Sequence, residues 1–201
     1  MTEQTTMKTI LTISVLIGIF AATSHAAALG SGDIVPDTTL RTEAGETVNL
    51  TDLVKEKPSV LVFYRGGWCP YCTKHLMALA GIEKEISAAG YQVLAISPDQ
   101  PSKLAETPGR EDLHYTLLSD SSMETAKAFG LSFQVPQELV SKYKTEYQID
   151  IEADSGETHH LLPHPAVFVL NKEGVITFAY VNEEYKVRLE PEKILEAVNT
   201  Q

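Results

Sequence analysis

Only two cysteines occur in this 201-residue chain, Cys69 and Cys72. That excludes a small scaffold held together by several disulfides. No long hydrophobic run is present either. The stretch from Ile10 to Phe20 has eleven residues, where a membrane span needs about 20, so no stable membrane insertion is expected. Basic residues are scarce: 16 Lys and Arg against 27 Asp and Glu, a net charge of −11. That balance argues against nucleic acid or an anionic lipid surface as partner. Internal repeats, low-complexity tracts and linkers are absent, and no cofactor motif stands out. His159, His160 and His164 fall within six residues. No nearby carboxylate or thiolate spacing completes a metal site around them, so no metal is assigned.

The first 26 residues have the order of an export leader. Lys8 precedes the apolar run, and the small residues Ser24 and Ala26 suit cleavage after Ala26. Glu3 is out of place in such a leader, and Met7 offers a cleaner start. The expected organisation is a signal peptide, 1–26, and one domain, 27–201, in the periplasm or outside the cell. Disulfides persist there.

A coarse reading of that domain alternates strands and helices. Thr38–Leu40 and Thr47–Leu50 flank Glu43-Ala44-Gly45-Glu46 as a hairpin. Ser59–Tyr64 and Tyr91–Ser97 are near-continuous apolar runs, as strands covered on both faces should be. One helix is expected from the cysteines to Gly90, and others over Ser121–Phe129, Pro136–Tyr147 and Pro191–Asn199. Asp154-Ser155-Gly156 reads as a turn. Ala166–Leu170 and Val175–Val181 read as strands joined at Asn171-Lys172-Glu173-Gly174. The fold class is α/β with a mixed central sheet flanked by helices.

The chemistry concentrates at Trp68-Cys69-Pro70-Tyr71-Cys72. Pro70 suits the first position of a helix. The free N–H groups of that first turn favour a thiolate at Cys69. Such a setting lowers a thiol from about 8.5 to roughly 3.5–7.5. Cys69 is then the attacking sulfur, and Cys72, one turn on, closes the Cys69–Cys72 disulfide. A bridge this short is a poor structural staple, because it removes little chain entropy. Arg65 is a candidate positive neighbour of the thiolate, Gly66-Gly67 loosen the loop, Trp68 is a packing residue and Tyr71 shapes the surface. His164, before Pro165 at the start of a late strand, would tune the site if it faces the dithiol.

Trp-Cys-Pro-Tyr-Cys resembles the active site of the thioredoxin-fold superfamily, and Pro165 before Ala-Val-Phe-Val-Leu resembles the cis-proline facing it. Over residues 32–198 the chain is more similar to the peroxiredoxins, the alkyl hydroperoxide reductase/thiol-specific antioxidant group. Phe63-Tyr64-Arg65-Gly66 with the dithiol resembles their active-site strand and loop. Leu117-Leu118-Ser119-Asp120 with Ala126-Lys127-Ala128-Phe129-Gly130, and Phe168 to Ile176, resemble their later signatures. The resemblance implies a thioredoxin-like fold and an antioxidant thiol oxidoreductase without a cofactor. It places Cys72 on the peroxide-attacking cysteine, Cys69 on a threonine, Pro165 on an activating arginine and Arg65 on a proline. In the thioredoxin register, Phe63 replaces a buried aspartate, and Leu131–Pro163 is a long insertion over the active face. Two substrates therefore stay open: a hydroperoxide with a thiol donor, or the disulfide of a redox partner protein. A binding module with a fixed disulfide is the remaining alternative.

Overall fold

A strand that is apolar along its whole length needs partners on both edges and cover on both faces. Ser59–Phe63 obtains both in the computed structural model, which describes residues 27–200. The proposed leader lies outside the described residues. In chain order the elements are β1 (Thr39–Arg41), β2 (Thr47–Asn49), α1 (Leu50–Glu56), β3 (Ser59–Phe63), α2 (Pro70–Ala80), α3 (Glu83–Ala88), β4 (Gln92–Ser97) and α4 (Pro101–Leu104). Then follow β5 (Thr116–Ser119), α5 (Glu124–Ala128), β6 (Ser132–Gln134), α6 (Gln137–Glu146), α7 (Ile151–Ser155), β7 (Leu161–Pro163), β8 (Ala166–Leu170), β9 (Ile176–Val181) and α8 (Pro191–Asn199).

Seven strands form one sheet in the order β2-β1-β5-β4-β3-β8-β9. β3, β4 and β5 run parallel, while β8 pairs antiparallel with β3 and β9. The alternation of side chains along β3 divides the core. Val60 and Val62 pack with Leu76, Leu79, Ile86, Ile194 and Val198 of α2, α3 and α8. Leu61 and Phe63 pack on the other face with Leu50 and Val54 of α1, with Ala126 of α5 and with Phe129 just after it. The expected mixed sheet between helices is the observed architecture.

Several local expectations change. The helix after the cysteines stops at Ala80 and resumes at Glu83, because Ile82 leaves helical geometry at φ −115°, ψ 4°. α5 begins only at Glu124. Asp120 accepts from the Thr125 and Ala126 N–H groups and caps it, and Met123 just before it is left-handed. Asp154-Ser155 ends α7 rather than forming a free turn, and Gly156 is its left-handed C-cap. Residues between β5 and β8 add a two-stranded sheet, β6-β7, with α6 and α7 beside it. Their own small core, Val135, Val140, Ile151 and Leu162, meets the main body through Trp68. No peptide bond among the described residues is cis. Pro165 is therefore trans, correcting the expected cis-proline: β7 feeds β8 as extended chain without the tight turn that a cis bond serves. Among the described residues no helix is long and apolar enough to cross a membrane.

Candidate active site

Cys69 is the N-cap of α2 and Pro70 its first residue, at the carboxyl end of β3. The N–H groups of Cys72 and Thr73 reach back to the Cys69 carbonyl at 2.9 and 3.0 Å, which fixes the first turn. Gly66 makes the preceding bend possible. It sits at φ 142°, and a Cβ there would collide with the Trp68 indole nitrogen. Gly67 donates its N–H to Asp99 at 2.8 Å, and Asp99 also accepts from the Ser97 hydroxyl at 3.0 Å. Burial pushes the Asp99 carboxyl up to about 7.

Both cysteines are free thiols. The Cys72 thiol and backbone N–H lie on the side of Cys69 Sγ and favour its anion by hydrogen bonding. With the positive charges of Arg65 and Arg188, these bonds hold Cys69 down to about 6. Cys72 lies deeper, and burial first, then its bond to Cys69, pushes its thiol well up. Between the two, the negative charge is favoured on Cys69. Both residues are buried, at 2% and 1% exposed.

Arg65 is buried, with its guanidinium 5.1 Å from the Trp68 ring centre, 5.7 Å from that of Tyr143 and 4.4 Å from that of Tyr185. It donates to the Tyr143 hydroxyl at 2.5 Å. Tyr143 belongs to α6, so the long insertion does reach the active face. Trp68 packs as expected, against both the main core and the insertion. Tyr71 is exposed and meets Tyr185 edge to face.

His164 does not join this group. Its ring stacks on Phe133 with centroids 4.5 Å apart, in a cavity lined by Lys127, Gly130 and Glu183 rather than by either cysteine. β7 turns it toward β6, since its own N–H is held by the Leu131 carbonyl. Burial lowers its pKa. The other two histidines also have separate partners: His159 bonds the Ser121 carbonyl and His160 the Glu152 carboxylate. No metal-binding cluster occurs among the described residues.

Sequence reasoning missed Arg188, which donates to Cys72 Sγ at 3.1 Å from the segment between β9 and α8. It also missed His75, buried one turn after Cys72 and held down to about 4, first by desolvation and then by Arg188. One signal was present. The chain has four arginines, Arg41, Arg65, Arg110 and Arg188, and two of them stand beside the sulfurs.

The AhpC/TSA family pattern matches residues 31–179. The chain belongs to the AhpC/TSA family. Among its curated relatives, Peroxiredoxin Bcp of Escherichia coli is 39% identical over 103 residues, 51% of this chain and 65% of Bcp. The chloroplastic Peroxiredoxin Q of Gentiana triflora is 30% identical over 180 residues, 90% of this chain and 67% of the relative. The chain thus spans about two thirds of the length of these relatives. Of solved structures, peroxidoxin BcpB from Mycobacterium tuberculosis superposes with a TM-score of 0.66 at 22% identity, covering 86% of this chain and 97% of the other. Reduced Prx3 of Vibrio vulnificus in complex with hydrogen peroxide gives 0.69 at 17%, covering 85% and 99%. These likenesses establish a thioredoxin-like fold for this AhpC/TSA member. Within it, a guanidinium reaches the dithiol from the segment before α8, that of Arg188.

Proposed function

We propose that this AhpC/TSA protein reduces hydroperoxides with its Cys69/Cys72 dithiol and is restored by a thiol donor. The observation that carries the reading is the sulfur pair itself: Cys69 at the N-cap of α2, where a thiolate is favoured, one turn from the free thiol that would resolve it. The Cys69 thiolate attacks the outer peroxide oxygen and the O–O bond breaks. The alcohol leaves after taking up a proton, and Cys69 becomes a sulfenic acid. Cys72 attacks that sulfur, an S–S bond forms and water leaves. Two external thiols then reduce the disulfide and become one external disulfide. Arg65 and Arg188 stabilise the anionic sulfur, and Arg188, bonded to Cys72 Sγ, is the proposed group that polarises the departing oxygen. The family register assigns the attack to Cys72; burial of Cys72 and the hydrogen bonding around Cys69 favour Cys69.

A second reading is disulfide exchange with a protein partner, favoured by the charge resting on the helix N-cap sulfur. Single variants separate the readings. The peroxidase reading expects Cys69→Ser to abolish peroxide consumption. It expects Cys72→Ser to stop after one turnover with a sulfenic acid on Cys69, trapped by a dimedone-type reagent. Disulfide exchange expects no peroxide consumption in the wild type, and mixed disulfides with partner proteins in Cys72→Ser.

The proposal includes export to the periplasm or beyond. Lys8, the short apolar run and the Ser24–Ala26 site support it, and the family match begins only at residue 31. N-terminal sequencing of the mature protein should begin at Ala27; a retained Met1 or Met7 in the cytoplasm would contradict export.

A further inference from the structure

Between α2 and the segment leading into α8 runs a cleft of about 260 Å³. Tyr71, Lys74, His75 and Ala78 form one wall. Their spacings of three and four place them on one helix face. Lys186 and Arg188 stand opposite, and Glu190 is the only acid in the lining. Lys74 and Lys186 are exposed. Neither takes part in an ion pair among the described residues, in a chain whose net charge is −11. Arg188 gives one nitrogen to Cys72 Sγ, while its Nε and Nη1 are buried and meet no acceptor.

Neither cysteine lines this cleft; Arg188 joins it to Cys72 Sγ, so its charge balance depends on the state of the sulfurs. Reduced, the dithiol favours an anion, with Arg188 bonded to Cys72 Sγ and Arg65 also nearby. Oxidised to a disulfide it is neutral, and both guanidiniums lose that counterion. The site is therefore most positive at the step when an anionic thiolate must approach. The geometry points to this cleft as the docking site of the reductant, a low-molecular-weight thiol that carries a carboxylate. This rests on the dithiol–disulfide cycle proposed above. The carboxylate sits between Lys74, Lys186 and Arg188. The thiolate attacks one sulfur of the Cys69–Cys72 bond, and the other leaves as a thiolate. A second thiol attacks the mixed disulfide, releasing the external disulfide and regenerating the dithiol. Two thiols are oxidised and the protein gains the two electrons.

The test isolates that half-reaction. The oxidised protein is reduced with 3-mercaptopropionate or with 2-mercaptoethanol, each rate divided by its rate on a neutral model disulfide. The anionic thiol should be favoured about tenfold at low salt, and the ratio should fall toward one at 1 M salt. In the double variant Lys74→Glu/Lys186→Glu the preference should invert. A ratio near one at every salt concentration, or a preference for the neutral thiol in the wild type, would overturn the assignment. So would a preference for carboxylates seen only among hydroperoxides reacting with the reduced protein. Peroxide is absent from the main assay, so loss of peroxide turnover with the thiol preference intact would count against the peroxidase reading alone. Failure to form the Cys69–Cys72 bridge on mild oxidation would overturn both.

Discussion

The two faces of the sheet are made from the same strands and do different work. On one face Phe63, Phe129 and Phe168 meet with ring centroids 4.9 to 6.0 Å apart, amid Leu, Ile and Val. On the other face Val60 and Val62 share their cluster with Tyr64, Cys69 and Cys72. His75, Arg65 and Asp99 are buried nearby. Alternation along β3 is the whole cause: odd residues go to the apolar side and even ones to the side that ends in the dithiol. One face is filled chiefly by apolar side chains, so it contributes stability. The other carries a separated charge, which costs stability unless its hydrogen bonds are complete, and it supplies reactivity.

Substitutions should separate these contributions. The largest effect is expected from Phe129→Ala, which removes the centre of the aromatic trio. Chemical denaturation should show a loss of about 3–5 kcal/mol, with the alkylation midpoint of the sulfurs unmoved. Arg188→Met should do the reverse. Peroxide turnover should fall about tenfold or more, and the Cys69 midpoint should rise toward the ordinary thiol range. Arg188→Lys should recover part of that shift, since the charge returns without the guanidinium fork. A large stability loss with no change in the pH profile would make Arg188 merely structural. The smallest signal is a slope. The folded pKa of Asp99 lies near 7, above its ordinary 3.8. The native state therefore binds more protons than the unfolded chain between about pH 4 and 7. Its contribution is complete below about pH 4 and is lost as pH rises through 7. Lys103 and Asp154 are the charges that face it. Asp99→Asn keeps the acceptor for Gly67 and should flatten that part of the stability curve.

Sequence made the apolar face easy to anticipate and the polar face only partly so. β3, β8 and β9 appear where near-continuous Val, Leu, Ile and Phe demanded them, and α8 starts at Pro191. Cys69 and Cys72 stand out through their spacing. Arg188 does not, because it lies 116 residues from Cys72 in a segment with no periodicity, and only the return of the chain from β9 brings it there. His164 was misplaced for a related reason. Pro163-His164-Pro165 gives no alternation from which a facing direction can be read. The strands β6 and β7 have three residues each, too few to show a period of two. The break at Gly81–Ile82 hides inside an apolar pattern that continues across it.

The central claim is that one sulfur is ionised near neutrality and that it is Cys69. The direct measurement is the rate of iodoacetamide alkylation of the fully reduced protein from pH 4 to 10, with the labelled residue identified by mass spectrometry. A midpoint near 6 with the label on Cys69 is expected. A midpoint at or above about 8.5, or first labelling at Cys72, would contradict it.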